Sequence, residues 1–212
     1  MMQQTVQQEI QRTTPNGVVR FRSFCPPDEI RHCAFSPQFG AHAQYKSLYT
    51  KRESLEQDAA ESGTNVSLAL DPDDMIIGFG VLANPEADER WAELGSGAMM
   101  EVKVIEVSRN WRSYGIAKGI LEVMLAHPSV EDKIIYMVGY SWTWDLEGTK
   151  GTAQLYRKML IRLFEPFGFL EYQTNEPNIC LKPENLFMGR VGRRVSADIQ
   201  NAFKWLRFGM TP

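Results

Sequence analysis

The chain has 212 residues, enough for one full domain or for one domain with short appendages. Hydrophobic residues make up 43% and charged residues 23%, an ordinary globular balance. The net charge of -3 argues against nucleic-acid binding, which needs a basic surface, and no apolar run reaches the length of a membrane span.

The polar start of the chain lacks the apolar stretch of a secretory leader. Cys25, Cys33 and Cys180 are an odd, widely spaced set that does not suit a disulfide framework, so a reducing cytoplasm is the expected setting. Residues 1–16 are expected to be a flexible segment, and residues 17–212 a single domain. Residues 18–24 alternate branched and aromatic side chains with arginine and predict a first strand. Pro26-Pro27-Asp28 then predicts a short helix over 28–35, and residues 41–61 a longer charged helix ended by Gly63. Residues 65–70 and 75–82 are apolar strands joined by Asp71-Pro72-Asp73-Asp74, the chemistry of an antiparallel hairpin. A polar loop over 84–97 precedes a strand over 99–107, an irregular stretch over 109–115 and an amphipathic helix over 116–126, stopped by Pro128. A buried strand over 133–140 leads to a loop over 141–151. The helix over 152–167 has Leu155, Met159, Leu160, Leu163 and Phe164 as its expected inner stripe. Late strands over 169–174 and 186–191 and a helix over 196–208, capped by Ser196, complete the chain. Strands and helices are mixed, with one parallel crossover through 116–126, so the fold class is α/β or α+β.

The most informative segment runs from Val107 to Lys118. It leaves a strand, turns at Gly115 and enters a helix. Ser113, Tyr114, Gly115, Ile116 and Ala117 would point successive N–H groups into one concavity, with the positive end of the helix behind them. Gly115 and Ala117 allow close approach of a phosphate, and Arg112 and Lys118 add charge. The pattern is neither G-x-G-x-x-G nor the P-loop, which argues against dinucleotide and P-loop sites. The preceding strand changes phase. Met100, Val102 and Val104 share one parity, whereas Ile105 and Val107 share the other. An extra residue at Val104–Ile105, a β-bulge, would restore one apolar face and group Glu101, Lys103 and Glu106 on the other. The unpaired backbone beside Ile105 and Val107 would then suit an extended ligand arm.

Arg112-x-x-Gly115-x-Ala117 resembles the acyl-CoA pyrophosphate motif of the GNAT superfamily of N-acetyltransferases, with the preceding strand placed as its pantetheine-binding strand and Tyr156 as its proton donor. Glu101, Ile105-Glu106-Val107, Leu121-Glu122-Val123, Tyr140-x-Trp142-x-Trp144-Asp145-Leu146-x-Gly148-Thr149, Tyr156-Arg157-Lys158 and Met188-Gly189-Arg190-Val191-Gly192 resemble the acetoin-utilisation acetyltransferases in particular. The tryptophan-rich string is the most specific of these. The resemblance is dense over about half the chain and loose over residues 1–70. Gly168-Phe169 lies further beyond Tyr156 than the superfamily pattern has it, which implies an extended helix.

The resemblance implies a mixed, mostly antiparallel sheet flanked by helices and splayed at the acyl-CoA site. It also implies direct acetyl transfer from acetyl-CoA to an amine, without a metal. The acceptor it implies is the catalytic lysine of acetyl-CoA synthetase, which acetylation inactivates. Glu101 is the first candidate base and Glu106 the alternative; Tyr156 would protonate the thiolate, and N–H groups near Ile105 and Val107 would hold the oxyanion. Trp142, Trp144 and Asp145 either line the acceptor path or anchor packing. A small-molecule amine acetyltransferase and a non-catalytic acyl-CoA-binding regulator are the alternative readings.

Overall fold

The structure, a computed structural model, describes residues 7–41 and 49–210. They sort into two units, one with the described residues of Met1–Ala83 and Lys103–His127, the other with those of Asn84–Val102 and Pro128–Pro212.

The first unit begins with a hairpin. Glu9–Thr14 (β1) pairs antiparallel with Gly17–Arg22 (β2), in register from Glu9↔Arg22 to Thr14↔Gly17. The expectation of a flexible start is corrected for this strand, whereas residues 1–6 lie outside the described residues. No residue of β1 is buried, so apolar patterning carried little signal there. Backbone pairing and the turn hold it instead. The Thr14 hydroxyl donates to the Gly17 carbonyl at 2.8 Å and accepts from the Asn16 N–H at 3.2 Å.

Helix Pro27–His32 (α1) is shorter than expected, because Ala34–Phe35 (β3) pairs parallel with Met75–Ile76. After the short helix Gln38–Ala41 (α2), the described part of the helix expected over 41–61 is Arg52–Ala60 (α3). Residues 42–48 lie outside the described residues, and Lys51 is extended, with φ -136° and ψ 144°. Tertiary contact overrides local propensity here. Tyr49 is buried against Phe79, with ring centroids 5.7 Å apart, and its hydroxyl donates to Asp58 Oδ2 at 2.6 Å.

Asn65–Leu70 (β4) and Met75–Ala83 (β5) form the expected hairpin. Asp71 closes it by accepting from the N–H groups of Asp73 and Met75, both at 3.0 Å. β4 is buried on both faces, which explains its continuous apolar run. Strand Met99–Val107 (β6) follows, and helix Ile116–Leu125 (α4) buries Ile116, Gly119, Ile120, Val123 and Met124 as one stripe. Close packing of α4 depends on missing side chains. A Cβ on Gly119 would lie 2.4 Å from a Phe21 ring carbon, and one on Gly80 would lie 2.5 Å from Met124 Cε.

The Val104 carbonyl lies against Gly80 and the Glu106 carbonyl against Gly78. Met100, Val102 and Glu106 are buried on one parity with Val104 half-buried, while Glu101, Lys103, Ile105 and Val107 are half-buried on the other. A register slip occurs in the β4–β5 pair, where Ala69↔Gly78 is followed by Leu70↔Ile76 and Ile77 is the extra residue.

The second unit takes the first residues of β6 and pairs them parallel with Ile134–Gly139 (β7), from Met99↔Ile134 to Glu101↔Tyr136. A parallel pair needs a long crossover connection, and α4 lies in it as expected. The stretch 141–151, expected as a loop, contains a 3-10 turn at Ser141–Thr143 and a short helix at Leu146–Thr149 (α5). Ala153–Phe164 (α6) is capped by the Thr152 side chain and passes through a 3-10 turn to Gly168. The strand expected over 169–174 is only Leu170–Glu171 (β8). Pro177–Cys180 (α7), Leu186–Val191 (β9) and Ala197–Leu206 (α8), with Ser196 as its cap, complete the unit. β9 pairs antiparallel with both β7 and β8. Its core stacks Trp91, Tyr136 and Phe187 under Phe203 and Leu206 of α8.

The inner stripe expected on α6 is corrected: Leu155 is 58% and Met159 43% exposed, and Phe164 alone in the helix is buried. At about 100° per residue, the apolar positions from Leu155 to Phe164 span an arc of roughly 180°, wider than one packing face. The Phe164 side turns inward because Phe169 packs edge-on against it at 5.0 Å. Among the described residues, no helix is long and apolar enough to cross a membrane.

Candidate active site

In the first unit, the turn after β6 is fixed from several sides. Ser108 is buried, and its N–H donates to the Ile77 carbonyl at 2.9 Å. Its hydroxyl donates to Gln38 Oε1 at 2.8 Å, and the same oxygen accepts from the Asn110 N–H at 3.1 Å. Asn16 Nδ2 donates to the Asn110 carbonyl at 3.3 Å. Arg112 Nε reaches back to the Val107 carbonyl at 3.1 Å, so this arginine also staples the turn to its strand. Gln38 and Asn16 lie too far away in sequence for spacing to reveal them.

Ser113 and Gly115 then adopt left-handed backbone, with φ 68° and 75°. Gly115 is the N-cap of α4 without a side-chain cap bond, and the Gly119 N–H donates back to its carbonyl at 3.0 Å. Helix geometry leaves the N–H groups of Ile116, Ala117 and Lys118 without partners inside the helix. Ser113, Tyr114, Gly115 and Lys118 are exposed. The turn therefore presents donors and the positive end of a ten-residue helix outward, an arrangement suited to an anion. Glu106, on the same strand, is buried, and Ile105 and Val107 are half-buried.

The second unit holds the other predicted residues. Glu101 is half-buried and paired in register with Tyr136. The Tyr136 hydroxyl donates to Glu89 Oε2 at 3.1 Å, and burial, followed by the charges of Glu101 and Glu89, pushes its pKa far up. Burial raises the Tyr140 pKa too, with Glu176, Glu101 and Glu89 adding to it. The charges of Glu101 and Glu89 thus act on both phenols, and that of Glu176 on Tyr140. Glu89, Glu176, Tyr136 and Tyr140 were not assigned site roles from the sequence, because loops and strands distant in the chain bring them together.

Tyr156, half-buried on α6, stacks on Trp144 at 5.0 Å and 11°. Trp144 is buried, its edge 3.2 Å from where a Gly139 Cβ would stand, so it anchors packing and orients the tyrosine ring. Asp145 is buried and accepts from the Gly148 N–H at 2.9 Å as the cap of α5. Trp142 is half-exposed, stacked on Tyr140 at 4.6 Å, with Lys182 Nζ 4.8 Å from its ring centroid. All three cysteines are free thiols. Cys25 and Cys33 are buried, and burial followed by the Glu29 charge raises both pKa values, which leaves them poor nucleophiles.

No protein-family model matches the chain. Over 133 residues it is 34% identical to the acetoin utilization protein AcuA of Bacillus licheniformis and 32% identical to that of Bacillus subtilis. The chain is similar to acetoin utilization proteins. Each match covers 63% of this chain and 63% of the relative, so less than two thirds of those relatives is spanned. The crystal structure of the acetoin utilization protein from Exiguobacterium sibiricum has the same fold, with a TM-score of 0.89 at 25% identity over 98% of this chain and 97% of that one.

Proposed function

We propose that the protein is an acetyl-CoA-dependent N-acetyltransferase that acts on a lysine of an acceptor protein. The observation that carries this reading is the turn at Ser113–Lys118, with left-handed Gly115 at an outward-facing helix start without a side-chain cap bond. The diphosphate of acetyl-CoA is assigned to those N–H groups, with Arg112 and Lys118 adding charge. Similarity to the acetoin utilization proteins and the motifs of that group support acetyl-CoA synthetase as the acceptor, in the cytoplasm.

A lysine amine with an ordinary pKa near 10.4 is only about 0.04% neutral at pH 7, so transfer needs a base. The carboxylates of Glu89, Glu101 and Glu176 suit an ammonium group, and Glu101 is the base we assign. Glu106 remains the alternative, although its burial disfavours it. The neutral amine attacks the thioester carbonyl, N–H groups near Ile105 and Val107 hold the oxyanion, and Tyr156 gives its proton to the departing sulfur.

The test is to incubate the protein with acetyl-CoA and acetyl-CoA synthetase and to measure lysine acetylation by mass spectrometry. Tyr156→Phe keeps the stack on Trp144 and is expected to lower turnover about 100-fold. An unmodified synthetase together with rapid acetylation of a small amine would favour the small-molecule reading. Binding of acetyl-CoA without transfer to any acceptor would favour a regulator.

A further inference from the structure

One face of α6 has no role in the site described above. Leu155 is 58% and Met159 43% exposed, and Lys158 and Arg162 are exposed beside them. At about 100° per residue these four side chains share one arc of roughly 100°, opposite the buried Phe164. Arg157, Lys158 and Arg162 are all on this helix, which has no carboxylate of its own, in a chain whose net charge is -3. Arg157 is paired with Glu171, whereas Lys158 and Arg162 make no ion pair with a described residue.

We propose that this face docks the acceptor protein, through a surface on which carboxylates ring an apolar spot. The inference rests on the acetyl-transfer reading above. Two exposed apolar side chains provide the area to bury, and the basic neighbours select an acidic partner over a basic one. Tyr156 adjoins Leu155 on the same helix, and its ring is held by Trp144. A partner seated on the outer face of α6 is thereby brought to the helix that carries the proposed proton donor. A lipid surface is the other occupant for a basic amphipathic helix. The apolar strip is narrow for that role, because Phe164 is buried and Leu160, Ile161 and Leu163 are half-buried.

The test compares two acceptors, folded acetyl-CoA synthetase and a short peptide that carries its acceptor lysine. Lys158→Glu/Arg162→Glu and Met159→Glu, all at exposed positions, are each expected to lower kcat/KM on the folded acceptor about tenfold or more, through KM. Activity on the peptide and the KM for acetyl-CoA should stay within about twofold of wild type. Raising salt from about 0.05 M to about 0.5 M should weaken wild type on the folded acceptor and leave the charge-reversed variant unchanged. Wild-type kcat/KM for the variants on the folded acceptor, or an equal loss on the peptide, would overturn docking at α6. So would wild-type binding to anionic vesicles that the variants lose. A wild-type protein that acetylates neither acceptor would overturn the acetyl-transfer reading itself, and the docking inference with it.

Discussion

Replacing Gly115 with alanine isolates the backbone requirement of the proposed phosphate turn. The residue has φ 75° and ψ 17°, and a Cβ there meets nothing nearer than Arg12 Nη1 at 3.9 Å. Contact with neighbours therefore adds no penalty, and the cost is that of left-handed backbone for a residue with a Cβ, about 1–2 kcal/mol. That cost must appear somewhere. A turn that stays left-handed loses it from folding stability and keeps its affinity. A turn that relaxes keeps its stability and must be forced back on binding, which weakens CoA affinity by about 5- to 30-fold at roughly 1.4 kcal/mol per decade. Urea unfolding and calorimetric titration with CoA, on the same variant, should give losses that together reach about 1–2 kcal/mol. If both quantities match wild type, the left-handed turn is not what holds the ligand, and the site assignment fails.

Three further outcomes are expected. Gly119→Ala gains about 1 kcal/mol of helix propensity but drives a methyl into the Phe21 ring, an overpacking cost of about 1–3 kcal/mol. The melting temperature should fall, and Phe21→Leu in the same chain should remove most of the penalty; independent effects of the two changes would contradict the contact. The Glu131 carboxylate is held below the ordinary carboxylate range, chiefly by the Arg193 N–H and then by the Arg190 guanidinium. Its folded value being depressed, it stabilises above the ordinary value of 4.5 and loses that contribution as pH falls through the folded value. The gap in urea midpoint between wild type and Glu131→Gln should be open at neutral pH and close in acid, and a constant gap would refute the pairing. Cys180 should react rapidly with a thiol reagent in the native protein, and Cys25 and Cys33 only after unfolding, because burial keeps their thiols shielded and protonated.

By itself, the sequence determined the β4–β5 hairpin, β6, α4, β7, β9 and α8, because these segments bury continuous or periodic apolar residues and carry their own turn and cap chemistry. It also determined the turn after β6, where Gly115 between a strand and an amphipathic helix is a local signal. Tertiary structure decided the rest. β1 is polar and exists by pairing with β2; Tyr49 leaves the expected long helix to pack on Phe79. α6 has apolar residues around half its circumference, and only the contact of Phe164 with Phe169 selects the inward side. In β6 the apolar pattern sets Glu106 on the face away from the core, yet the fold buries that carboxylate. Side-chain period two is a local rule, but which face is covered depends on neighbours distant in the chain. For the same reason the contact of Tyr136 with Glu89 and its pairing with Glu101 could be seen only once the strands and loops were in place.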